Sequence, residues 1–229
     1  MKSLLSILLV LLSVPLQAGS LVGTVRAEGK AGAAEAGADG KYDSRKYKFA
    51  ERVDYAALRD FVVYIDGPVS NAPAVASKPV MVDTRRVTQK GAEFQPHVLP
   101  VAVGTTVEWP NHDAIFHNVF SMSDAKPFDL DLYKGNPPEK RVIFDKAGRV
   151  DVFCSIHSSM HCVVLVVPNG FFAKADEHGR YVIPDVPPGR YQVKAWHERL
   201  PPETREVTVG ESGEVRVDFV LGIRNLPKY

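Results

Sequence analysis

Apolar positions along the chain fall into short runs rich in Val and Ile, each closed by Gly, Pro, Asn or Asp. LVGTV (21–25), FVVYIDG (61–67), KPVMVDT (78–84), HVLPVAVG (97–104), TTVEWPN (105–111) and HNVFS (117–121) each read as a strand with its turn. KRVIFDKAG (140–148), RVDVFCS (149–155) and CVVLVVPNG (162–170) continue the series. Beyond the PNG turn, residues 170–221 supply five more short strands separated by EHG, PPG and GESG. Only FAERVDYAALRDF (49–61) has helical spacing, with Phe49, Val53 and Ala57 on one side, and predicts a short amphipathic helix. Strands do not alternate with helices, so the pattern predicts an all-β protein of sandwich or barrel type, with a domain boundary near 168–170.

The first 18 residues differ from the rest. Lys2, an apolar run from Leu4 to Val14, Pro15 and a small residue at Ala18 make a secretory signal peptide, too short for the ~20 apolar residues of a spanning helix. The mature chain, 19–229, is therefore expected to be exported, with no transmembrane segment. Residues 27–48 are rich in Ala, Gly and charge; they read as a surface insertion, extending with the helical stretch to about 60. Of the 229 residues 28 are basic and 27 acidic, and Lys2 leaves with the signal. Such a balance gives no electrostatic footprint for nucleic acid or an anionic membrane.

The candidate chemistry lies in FCSIHSSMHC (153–162). Two cysteines in an exported chain suggest a disulfide, but three further metal-binding side chains lie inside the loop that a Cys154–Cys162 bridge would close. Alternation along RVDVFC puts Val150, Val152 and Cys154 on one face, so Cys154 points inward at the end of its strand. His157 and Met160 follow at three-residue steps, in a turn able to curl back over the cysteine. Thiolate and thioether are soft and imidazole borderline, a set that favours copper over magnesium, calcium or manganese; a thioether suits zinc poorly. A trigonal copper site needs a second histidine. His117, at the start of an apolar strand, is a better candidate than His112, which sits in an Asn-His-Asp turn.

GTTVEW-x-N, then HNV and later C-x2-H-x2-M, resembles the cupredoxin family and its type 1 copper site, and the short ligand loop is closest to that of the amicyanin group. The likeness covers roughly residues 80–168. It implies a Greek-key β-sandwich holding one copper ion, with His117, Cys154 and His157 as equatorial ligands and Met160 as the axial one. It also implies that Asn118 braces the cysteine loop from behind. Cys162 departs from the pattern and reads as a small buried residue starting the next strand; His97, His112, His161, His178 and His197 read as surface or structural histidines, with His112 and His161 nearest the motif.

FAKADEHGRYVIPDVPPGRYQVKAWHE (172–198) is similar to the carboxypeptidase regulatory-like, transthyretin-like β-sandwich. The expected organisation is thus a signal peptide (1–18), a cupredoxin-like domain (19–168) and a small β domain (169–229). The second unit looks short of its leading strands, and the last cupredoxin strand, 162–167, is placed to complete its sheet. Together the resemblances imply a periplasmic copper protein, not an enzyme, that passes single electrons between redox partners such as a cytochrome c or a dehydrogenase. The alternative is a copper-handling or extracellular interaction module without a shuttle role.

Overall fold

The computed structural model describes residues 18–29, 54–69, 84–135, 137 and 140–222. Residues 1–17 of the predicted signal peptide (1–18), most of the 27–48 insertion and the start of the predicted helix lie outside these residues. What remains of that helix is a single 3-10 turn, Tyr55–Ala57, capped by the Asp54 carboxylate, which accepts the N–H groups of Ala56 and Ala57. The remainder is β, in agreement with the sequence pattern, and no helix among the described residues is long and apolar enough to cross a membrane.

The strands, in chain order, are β1 (Gly19–Glu28), β2 (Val62–Ile65), β3 (Thr84–Arg86), β4 (Thr88–Gln89), β5 (Phe94–Gln95), β6 (Val98–Ala102), β7 (Thr105–Glu108), β8 (His117–Ser121) and β9 (Phe128–Tyr133). There follow β10 (Arg141–Phe144), β11 (Gly148–Phe153), β12 (His161–Val167), β13 (Phe172–Lys174), β14 (Arg180–Val186), β15 (Gly189–His197), β16 (Leu200–Val209), β17 (Glu214–Arg216) and β18 (Phe219–Gly222). A five-stranded sheet, β6-β12-β11-β8-β9, and a three-stranded sheet, β10-β7-β3, form the first unit. Trp109, Val119, Phe144, Val150, Val152 and Val164 fill the core between them. In the five-stranded sheet β12 pairs parallel with β6 and antiparallel with β11.

HCVVLVV has apolar side chains at almost every position because β12 is buried on both faces. Cys162, Val164 and Val166 face the core of the first unit. Val163, Leu165 and Val167 face the other way, onto Val62 and Tyr64 of β2, with Trp196 and Phe172 beside them. Strand β2, VVYI, is two-faced in the same manner: Val63 and Ile65 enter the core of the second unit.

This second unit corrects the expected division of the chain. It has two sheets, β13-β2-β15-β16 and β14-β1-β17, with β18 also pairing β1. β1 runs antiparallel to β14 and parallel to β17 and β18, and β2 lies between β13 and β15. The leading strands that the C-terminal segment lacked are therefore supplied from the N-terminal side, by residues expected in 19–168. β12 does not complete that sheet; its backbone is committed to β6 and β11, and only its side chains reach across. The physical reason is that VVYI is apolar on both faces and needs cover on both, which a strand between two cores provides.

One polar clamp holds β1 in place. Asp218 accepts the Thr24 N–H (2.8 Å) and hydroxyl (2.9 Å) and pairs with Arg216 Nε (2.9 Å). The Arg216 guanidinium and then Thr24 hold its carboxyl at about 2, below the ordinary 3.8. Because the folded-state value is the lower one, this stability is present above about pH 4 and is lost as pH falls through about 2. Asp218→Asn should lower stability at neutral pH by about 1 kcal/mol, as expected for a partly solvent-screened cluster. Denaturant titrations of both proteins should converge between pH 4 and pH 2; a constant difference would show that the carboxylate charge is not involved.

Candidate metal centre

β8 and β11 are sheet neighbours, paired at Phe120 and Phe153, so the start of one and the end of the other bring His117 and Cys154 to the same region of the unit. Alternation places Val150, Val152 and Cys154 in the core, as expected. Residues 154–160 then turn back. The Met160 N–H donates to the His157 carbonyl (3.0 Å) and the Cys154 N–H to the Met160 carbonyl (3.3 Å), which closes the loop before β12 begins.

The result is a compact donor set. His117 Nδ1 lies 3.0 Å from His157 Nδ1, and Cys154 Sγ lies 3.7 Å from His157 Nδ1. One donor atom of each residue falls within 4.8 Å of the other two. Bonds of about 2.0–2.1 Å to nitrogen and about 2.3 Å to thiolate, splayed near 120°, would place nitrogen about 3.5 Å from nitrogen and about 3.8 Å from sulfur. The triangle is thus close to the size that a trigonally bound metal requires. Met160 is fully buried in the same apolar cluster as Cys154. His117 is completely buried and His157 partly exposed, so the set has a closed and an open side. Ile115, Phe116 and Ile156, which adjoin the two histidines in sequence, are each about half exposed.

Two further residues hold the set. Asn118 accepts the Ser155 N–H through Oδ1 (3.2 Å) and donates to Asp129 through Nδ2 (2.6 Å), so it ties the cysteine loop to β8 and β9. Asp113 was not foreseen. Its Oδ2 lies 2.8 Å from His117 Nε2, which turns Nδ1 of the same ring toward His157 and Cys154. The Ala92 and Gly91 N–H groups, and then His117, hold the Asp113 carboxyl at about 2, so it is ionised at neutral pH. The sequence signal for it was slight: an acid four residues before His117, in the turn that also carries His112. His112 itself is exposed, and its N–H binds the Gln89 carbonyl. Both cysteines are free, and burial raises the Cys162 thiol far above its usual range. His161, the neighbour of Met160, leaves the strand on the opposite face from Cys162.

The family profile for copper binding proteins of the plastocyanin/azurin family matches residues 82–167. These residues form a cupredoxin domain. A carboxypeptidase regulatory-like domain is matched over residues 163–222. None of the curated proteins compared matches the chain. Among solved structures, a copper-containing nitrite reductase from Thermus scotoductus SA-01 is 28% identical over 43% of this chain, with a TM-score of 0.37. The aligned region spans 27% of that enzyme. A purple cupredoxin from Nitrosopumilus maritimus is 26% identical over 36% of this chain and 98% of its own, with a TM-score of 0.31. A reduced Cu(I) form of an amicyanin mutant is 26% identical over 40% of this chain and 89% of its own, with a TM-score of 0.33.

Within the cupredoxin domain, loss of an orienting partner of a metal-bound histidine typically weakens metal binding by about 10–100-fold. Asp113→Ala should therefore weaken copper binding on that scale, measured by competition with a chelator of known affinity. An unchanged affinity would show that the Asp113–His117 contact does not position the ring.

Proposed function

We propose that the protein is an exported electron carrier of the periplasm, in which His117, Cys154, His157 and, more weakly, Met160 would hold one type 1 copper. The observation that carries this reading is the compact, largely buried triangle of two imidazole nitrogens and a cysteine sulfur, close in size to what a trigonal ion requires. Bound copper would supply a one-electron Cu(II)/Cu(I) couple.

The rest is the work of the chain. Asp113 fixes the His117 ring, and Asn118 holds the loop that carries Cys154 and His157, contacts that would keep the ligands in place in either oxidation state of a bound copper. Val152, Cys162 and Met160 keep water from the cysteine side. His157, on the open side, is the exit for the electron, and Ile115, Phe116 and Ile156 provide an apolar surface for brief docking. Such a surface suits a small, short-lived interface with a redox protein, a cytochrome c or a dehydrogenase. Three strong ligands and Met160 would leave a bound copper no position for a substrate, which favours a carrier over an enzyme. The N-terminal segment 1–18 would direct export.

Copper(II) added to the reduced protein should produce an intense visible band from thiolate-to-copper charge transfer. Cys154→Ser should abolish it, whereas Cys162→Ala should leave it intact, because Cys162 belongs to the β12 core face. Reversible bleaching by a mild reductant would support a carrier; tight Cu(I) binding without cycling would favour copper handling instead. No band with Cys154 reduced would overturn the reading.

A further inference from the structure

A second group of metal-ligating side chains lies on the outer face of the same sheet. His97, His161 and Glu198 each offer a donor atom within 4.8 Å of the other two. His97 Nε2 lies 3.0 and 2.9 Å from the two Glu198 carboxylate oxygens, and the His97 and His161 rings meet edge to face at 5.5 Å.

The register explains why they meet. β6 and β12 are parallel with Val98 opposite Val163, and the Val163 N–H binds the His97 carbonyl, so His97 and His161 lie at the same end of neighbouring strands. Alternation along β12 turns Cys162 inward and His161 outward. Glu198 comes from the second unit, in the turn between β15 and β16, whose backbone is tied to β11 by Arg149 Nη1 donating to the Glu198 carbonyl (2.8 Å).

The surroundings are suited to a cation. His161 Nε2 binds Asp151 Oδ1 (2.9 Å), which would leave Nδ1 for a metal, the usual arrangement of a ligating histidine steadied by a carboxylate. Its ring stacks on Phe153 at 4.8 Å, which limits its rotation. Burial works against ionisation of Asp151, but hydrogen bonds from Arg149 and His161 outweigh it and hold the carboxyl below its usual range. All three donor residues are partly exposed, so water and ions reach them.

We propose that His97, His161 and Glu198 bind a divalent transition-metal ion of the zinc class, separate from the cupredoxin centre, and that this ion joins the two units. Two imidazoles and one carboxylate are a set that zinc accepts with water in the fourth position. Magnesium and calcium, which prefer oxygen ligands, should not compete. The two clusters occupy opposite faces of one sheet, linked by the neighbouring pairs Met160–His161 and Phe153–Cys154, so each can be altered without removing a ligand of the other.

Equilibrium dialysis of the full chain against Zn2+ tests this. The proposal expects a zinc equivalent that survives Cys154→Ser but is weakened at least about tenfold by His97→Gln and by Glu198→Gln, the lower end of what loss of even an orienting partner costs. Zinc should also raise the thermal unfolding midpoint of the Cys154→Ser protein, and adding Glu198→Gln should cancel that rise. The same zinc affinity and the same midpoint shift with and without Glu198→Gln would overturn the proposal and reduce the cluster to a His97–Glu198 hydrogen-bonded contact. A rise produced equally by Mg2+ would overturn the ligand chemistry.

Discussion

The structure depends on a strand that is buried on both faces. With a side-chain period of two, β12 sends Cys162, Val164 and Val166 into the cupredoxin core and Val163, Leu165 and Val167 against β2 of the second unit. Each such side chain taken fully out of water contributes about 1.5–3 kcal/mol before conformational costs, so a register slip of one residue would disturb two cores together. The same strand begins immediately after Met160. The loop 154–160 is therefore stretched between two fixed strand ends, and the spacing of its ligands follows from where β11 stops and β12 starts.

The donor set benefits from this rigidity at little local cost. Residues around it are tied to different elements, Asp113 to His117 and to the Gly91–Ala92 turn and Asn118 to Ser155 and Asp129, while the Cys154–Met160 backbone bond closes the loop on itself. Hydrogen bonds from several elements to one loop restrict the ligands more than any single contact does. Low reorganisation is what a one-electron couple requires of its protein.

Joining a second β unit to the outer face changes what that face can do. In a lone sandwich His161 would have only its neighbours on the same sheet, Asp151, Phe153 and His97. Here the β15–β16 turn brings Glu198 over it, while Lys174 reaches the Val98 carbonyl and Arg149 the Glu198 carbonyl. The contact between units is thus apolar at its centre, around Val62, Tyr64 and Leu165, and polar at its rim.

Local chemistry made much of this visible beforehand. Short Val-rich runs with Gly, Pro and Asn turns identified the strands, and the resemblance to cupredoxins carried by C-x2-H-x2-M and the upstream HNV pointed to His117, Asn118, Cys154, His157 and Met160, of which the fold brings donor atoms of His117, Cys154 and His157 together. The short helical spacing at 49–61 was a weaker guide, since few apolar contacts support a helix there and residues 54–61 keep only one turn. What the sequence could not express was which strands pair across long separations. LVGTV and FVVYI read as strands, but their place in the C-terminal unit rests on hydrogen bonds to partners more than a hundred residues away. Asp113 behind His117, and His97 beside His161 and Glu198, are likewise products of register and packing. Alternation and ligand spacing are short-range properties carried by the chain itself; the pairing of distant edges is decided only when the cores close.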